Sequence, residues 1–71
     1  MAYQETEYRV CEVDAAGEFV DCDWYGTLPE ARVAYAGSPE WNVIESHTTY
    51  YAEREHITIV DDEYKTVEVQ R

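Results

Sequence analysis

The chain has 71 residues, 16 of them acidic and five basic, for a formal net charge of −11. That length suits one small domain that buries only ~60% of its unfolded surface. The charge argues against a binder of phosphate backbones, whose affinity comes from Lys and Arg, while 45% hydrophobic residues and seven tyrosines argue against an acidic disordered tail. No apolar run approaches the ~20 residues of a membrane helix. The start, MAYQETEYRV, lacks the basic and apolar segments of a signal peptide, so a soluble, cytoplasmic protein is expected. Cys11 and Cys22 are too few for a disulfide scaffold, and two free thiols are the default in a reducing compartment.

In chain order, residues Met1–Thr6 are polar and expected to fray, although Tyr3 could extend the first strand. Tyr8–Val13 alternates like a half-buried strand. Asp14-Ala15-Ala16-Gly17 suits a type I turn closed by a left-handed Gly. Glu18–Trp24 returns as a second strand, and a three-residue loop there pairs Val10 with Cys22 and sends Cys11 and Cys22 to opposite faces. A two- or four-residue loop would set the cysteines opposite each other.

Thr27–Gly37, TLPEARVAYAG, reads as a helix with both ends marked. Thr27 is the N-cap, Glu30 completes a capping box, Pro29 fits the first turn, and Gly37 with Ser38 and Pro39 stops it. Leu28, Ala31 and Tyr35 form its apolar stripe, widened by Val33 and Ala36. A helix of about ten residues is too short to stand alone and must lie on a sheet.

Asn42–Tyr51 is the third and longest expected strand. Glu53-Arg54-Glu55 reads as a turn, His56–Val60 as a fourth strand, Asp61-Asp62-Glu63 as a second turn, and Tyr64–Val69 as a fifth strand. The expectation is a two-layer α+β domain over residues 1–71: an antiparallel β-sheet of about five strands in ββαβββ order, covered on one face by a single short helix. The expected core is Tyr8, Val10, Val20, Leu28, Ala31, Tyr35, Val43, Ile44, Ile57, Ile59, Val67 and Val69, with Trp24 and Trp41 at its rim.

Cys11, Cys22, His47 and His56 number enough for zinc, but they lack the close ligand pairs of structural sites, and strand cysteines with solvated histidines are the preferred reading. Asp61-Asp62-Glu63 lacks the alternating ligands and central Gly of a calcium loop. Nothing marks Cys11 or His47 as activated for nucleophilic catalysis, and there is no glycine-rich phosphate loop. No enzyme, metal or cofactor is expected.

Outward acids on a sheet instead form a rigid array of charge, since residues two apart repeat at ~6.6 Å and strands lie ~4.8 Å apart. Candidates for an acidic partner-binding face are Glu12, Asp14, Glu18, Asp21 and Asp23 on the first hairpin, with Glu45, Asp61, Asp62, Glu63 and Glu68 in the second half. Solvation explains most such positions singly. Their sum exceeds the net charge of magnitude ~2–8 that solubility asks of a small domain. Among Trp24, Tyr25, Trp41, Tyr50 and Tyr51, more rings occur than one short helix can bury, and Trp24, Tyr25, Trp41 and Tyr51 are candidate anchors. Life in high salt, with a single Lys65, is a rival source of the same acidity.

In size, acidity and strand-rich layout the chain resembles the small acidic anti-CRISPR proteins of phages that act as DNA mimics. Segments such as YRVCEVDAAGEFVDC and TLPEARVAYAG are similar in style to those of phage proteins. The resemblance implies a non-enzymatic inhibitor in the host cytoplasm whose partner is a protein with a basic DNA-binding surface. A type I CRISPR surveillance complex, blocked at DNA or PAM recognition, or a related nuclease would be such a partner, with no direct nucleic-acid contact. The alternative is an acidic structural or assembly protein of a phage or halophile; monomer and homodimer are both open.

Overall fold

The computed structural model describes residues 2–53 and 57–69, and the elements run β1 (Ala2–Val13), β2 (Phe19–Tyr25), α1 (Leu28–Gly37), β3 (Val43–Glu53) and β4 (Ile57–Val69). One antiparallel sheet in the order β2-β1-β3-β4 carries one helix. The α+β class holds, and the expected five strands in ββαβββ order are replaced by four in ββαββ order. The difference lies at Asp61-Asp62-Glu63. These acids do not turn; they pair across to Tyr50, Thr49 and Thr48 within a continuous β4 of 13 residues, which makes β4 rather than β3 the longest strand. Bulges at Val60 and Val67 keep the long strand in pairing, because each inserts one residue without breaking the ladder. At the other end, Ala2–Glu7 do not fray as separate coil: they pair with Ala52–His47 and extend β1. Arg54, Glu55 and His56, and the side chains of Ile57 and Ile59, lie outside the described residues.

The first hairpin shows how one residue resets a register. Its turn is the expected one, with Gly17 N–H donating to the Asp14 carbonyl at 3.0 Å and Gly17 at φ 84°, where a Cβ would be strained. Asp14 Oδ1 also accepts from the Ala16 and Glu18 amides, both at 2.9 Å. Val13 pairs with Phe19 as a three-residue loop demands, but Glu12 pairs with Asp21, so Val20 is an extra residue. The shift sets Cys11 opposite Cys22, on one face, and corrects the expected Val10–Cys22 pairing. Val20 is consequently 58% exposed and leaves the expected core.

Because β2 and β3 are each antiparallel to the β1 that separates them, α1 must cross over β1, and it lies against Val10. The helix starts as expected: Thr27 caps it, its hydroxyl accepting from Glu30 N–H at 3.4 Å and donating to the Glu30 carboxylate at 2.8 Å. Its buried stripe is Leu28, Ala31, Ala34 and Tyr35, whereas Val33 is 75% exposed and Ala36 faces solvent. The core is Val10, Ala31, Trp41 and Ile44, flanked by Tyr8, Tyr25, Leu28, Ala34, Tyr35 and Val67. Trp41 sits inside it rather than at its rim; Val69 and Trp24 are exposed. Asn42 then joins β3 to β1: its amide side chain donates to the Val13 carbonyl at 2.8 Å and accepts from Val13 N–H at 2.9 Å, continuing the ladder by one rung.

The sheet is far longer than the helix. The molecule measures 45 × 26 × 15 Å, and ten helical residues span only ~15 Å. Among the described residues, one whole face and about half of the other therefore carry no second layer.

Candidate functional site

Strand alternation sorts the uncovered face into rows running across the sheet. Trp24, Arg9 and Glu45 make one row, Glu7, His47 and Tyr64 the next, Glu5, Thr49 and Asp62 the third, and Tyr3 and Tyr51 the last. Arg9 is its centre. Its guanidinium lies 4.8 Å from the Phe19 ring centroid, 5.5 Å from Trp24 and 4.4 Å from Tyr64. Arg9 Nη2 also donates to Glu45 Oε1 at 2.6 Å, with both side chains mostly buried. Burial by itself pulls the Arg9 pKa down, and the Glu45 hydrogen bond and charge, with the two nearby thiols, more than reverse this, so it stands above its ordinary value. A cation held this way lets aromatic rings sit on an open face without an apolar layer above them.

His47 stacks on Tyr64 at 4.3 Å between ring centroids and takes the Trp24 edge at 5.7 Å. Its Nε2 lies 3.1 Å from Asp62 and its Nδ1 3.6 Å from Glu7. Tyr3 stacks on Tyr51 at 4.9 Å. Burial first, then the charge and hydrogen bond of Glu5, raise the Tyr51 pKa. On the helix side, the Tyr50 hydroxyl donates to Glu63 at 3.1 Å, and this bond is the main reason its pKa is raised.

The candidate acids do not form one face. Glu12, Asp14, Glu18, Asp21 and Asp23 gather at the hairpin end beside the helix. Asp61, Asp62 and Glu63 lie toward the opposite, helix-free end, Asp62 on the uncovered face and its two neighbours on the other. Along β1 the centres of the two groups are separated by about 25 Å. Glu45 is held by Arg9, Glu68 by Arg32 at 2.7 Å, and the Asp14 carboxylate by its own turn. Those three are committed internally, and Asp62 and Glu63 also meet His47 and Tyr50, each at 3.1 Å.

The candidate anchors divide as well. Trp24, 44% exposed, and Tyr51 share the uncovered face, whereas Trp41 is buried and Tyr25 packs against the core. Sequence reasoning missed Glu5 and Glu7, which join Asp62 at the helix-free end, and it missed Arg9, Phe19 and Tyr64. The alternation of EYRVCEV with Arg at an outward position was the available signal for Arg9. No local sequence signal sets Trp24 opposite Arg9, because that pairing depends on the Val20 bulge.

Cys11 and His47 are not placed as a nucleophile and its base. Burial first, then the adjacent Cys22, pushes the Cys11 thiol up to about 12, so it is no thiolate at neutral pH, and the row containing Arg9 lies between it and His47. Among the described residues, no three His, Cys, Asp or Glu side chains gather into a metal-binding group. Among the same residues no helix is long and apolar enough to cross a membrane. No family model matches the chain, and neither does any curated protein or any solved structure.

Proposed function

We propose that this protein is a non-enzymatic inhibitor that occupies the basic surface of a nucleic-acid-binding protein, its carboxylates meeting Lys and Arg that otherwise hold phosphates. The observation that carries this reading is the pair of acidic groups whose centres are fixed about 25 Å apart on one sheet. A rigid strand holds outward carboxylates at set spacing, so little order is lost when a partner's cations pair with them. Steering by a net charge of −11 speeds encounter with a basic cleft. Trp24, near the hairpin group, and Tyr51, in the row beyond Asp62, supply aromatic contact. A type I CRISPR surveillance complex blocked at DNA or PAM recognition, in the cytoplasm of a phage's host, is the specific target we favour. Neutralising one pole at a time tests this: Asp21→Asn with Asp23→Ser, and Asp61→Asn with Asp62→Asn, should each weaken target binding and flatten its loss with salt. Inhibition unchanged by both would place the contact elsewhere.

A second reading rests on the exposed rings of Phe19, Trp24 and Tyr64, each more than 40% accessible on the uncovered face. Such a face suits a homodimer in an assembly protein. Light scattering separates the two, because a mass that doubles with concentration supports self-association and a constant monomer mass removes it.

A further inference from the structure

We infer that the free edge of β1 from Ala2 to Glu7 is a docking edge for an extended basic segment of a partner protein, which adds to the sheet as a fifth strand. β2 covers β1 only along Tyr8–Val13, and at Tyr25 the chain departs through Gly26 toward the helix. Among the described residues no strand lies against the remaining edge.

The direction of its backbone groups is set by the ladder. The Cys11 carbonyl accepts from Asn42 on the β3 side, and Val13 bonds the Asn42 side chain there too. Odd residues of β1 therefore aim N–H and C=O at β3, and even residues aim theirs the other way. Gln4 and Thr6 present unpaired donors and acceptors outward, which is the template a new strand needs.

The other two edges are guarded. β2 carries the Val20 bulge, and β4 carries bulges at Val60 and Val67 with three consecutive acids between them. Bulges and charge are the devices that keep sheet edges from pairing. The β1 edge has neither a bulge nor a break across its pairing from Ala2 to Cys11 with β3.

Charge selects the occupant. A shallow groove along this edge is lined by Glu5, Thr6, Glu7, Gly26, Thr49 and Tyr51. Residues of an added strand that sit beside Glu5 and Glu7 share the uncovered face with them, and those beside Gln4 and Thr6 share the other. The fitting segment alternates Lys or Arg with small or β-branched residues. A second copy fits poorly, since it would bring another net −11 and its own Glu5 and Glu7 to the same seam. This inference rests on the proposed inhibitor function, in which the partner is basic, and it names where that partner docks.

The test is amide hydrogen exchange on the full chain with an eight-residue alternating Lys-Thr peptide as probe and its Glu-Thr counterpart as control. The expected result is slowed exchange at Gln4 and Thr6 with the Lys-Thr peptide alone. Gln4→Pro, which removes one outward N–H, should weaken peptide binding about tenfold. Glu5→Gln with Glu7→Gln should weaken it at low salt while the β3 amides stay protected, so loss of fold is not mistaken for loss of docking. Slowing at β4 instead, slowing with the Glu-Thr peptide, or none at all would overturn the proposal. So would protection of Gln4 and Thr6 that grows with protein concentration before any peptide is added, which means self-pairing. If the edge binds peptide but no DNA-competed target exists, the inhibitor reading fails and the docking edge stands; the reverse result removes only the edge.

Discussion

Arg9 is the residue on which the uncovered face depends. Its charge is shielded by Phe19, Trp24 and Tyr64 and balanced by Glu45, so removing it leaves a mostly buried carboxylate without its cation. Arg9→Ala is expected to lower stability by about 2–4 kcal/mol, read from urea unfolding. A loss no larger than that of an exposed ion pair, below about 1 kcal/mol, would mean that Arg9 is solvated and the rings are held otherwise. Tyr35 gives the opposite expectation. Its hydroxyl is buried without a hydrogen-bond partner among the described residues, and Tyr35→Phe should be neutral or stabilising by up to about 1 kcal/mol. Burial first, then the hydrogen bond with Cys22, pushes the Cys11 thiol up to about 12 in the fold, against 9.0 for an ordinary thiol. The folded form thus holds the proton more tightly, and its advantage is intact below pH 9 and lost as pH rises toward 12. Unfolding midpoints at about pH 8.5 and about pH 11 should converge in Cys11→Ala relative to the parent; an unchanged alkaline decline would assign it to other groups.

At the scale of elements, what was legible in the sequence was whatever had local chemistry. The helix could be read to its cap because Thr27, Pro29, Glu30 and Gly37 each act on neighbours a few residues away, and Thr27→Ala should cost about 1 kcal/mol. The first turn was legible for the same reason. Its consequence was not, because the Val20 bulge follows the turn, and that one inserted residue sets both cysteines on the same face. The three acids at the centre of β4 mislead for a related reason: Asp and Glu are common in turns, but at an edge strand they serve equally as guards against pairing. Strand order lies further out of reach, since it is fixed by where α1 can cross. Residue type alone groups the acidic candidates as one face, whereas the fold divides them between opposite ends and bonds several of them, Glu45, Glu68 and Asp14 among them, internally. Oxidation checks the corrected register. With glutathione disulfide in excess, Cys11 and Cys22 should lose both free thiols in one intramolecular bond, as a directly opposed pair allows; mixed disulfides only, with no intramolecular bond, would contradict the pairing.

The whole molecule combines a small one-sided core with a charge of −11. Self-repulsion at that density opposes the compact state, and salt relieves it by shortening the Debye length from ~8 Å to ~3 Å between physiological and molar ionic strength. The melting temperature should rise over that range. A protein that folds well at physiological salt and gains only a few degrees has acidity beyond what salt adaptation explains, whereas one unfolded without molar salt would favour the halophile reading. Partner cations would relieve the same repulsion, which links stability to binding.

The most direct measurement is capture by the immobilised protein from lysates of bacteria carrying CRISPR or restriction systems, followed by elution with duplex DNA. Retention of a nucleic-acid-binding complex that DNA displaces is the expected result. Retention that DNA cannot displace, or no retention at all, would contradict it.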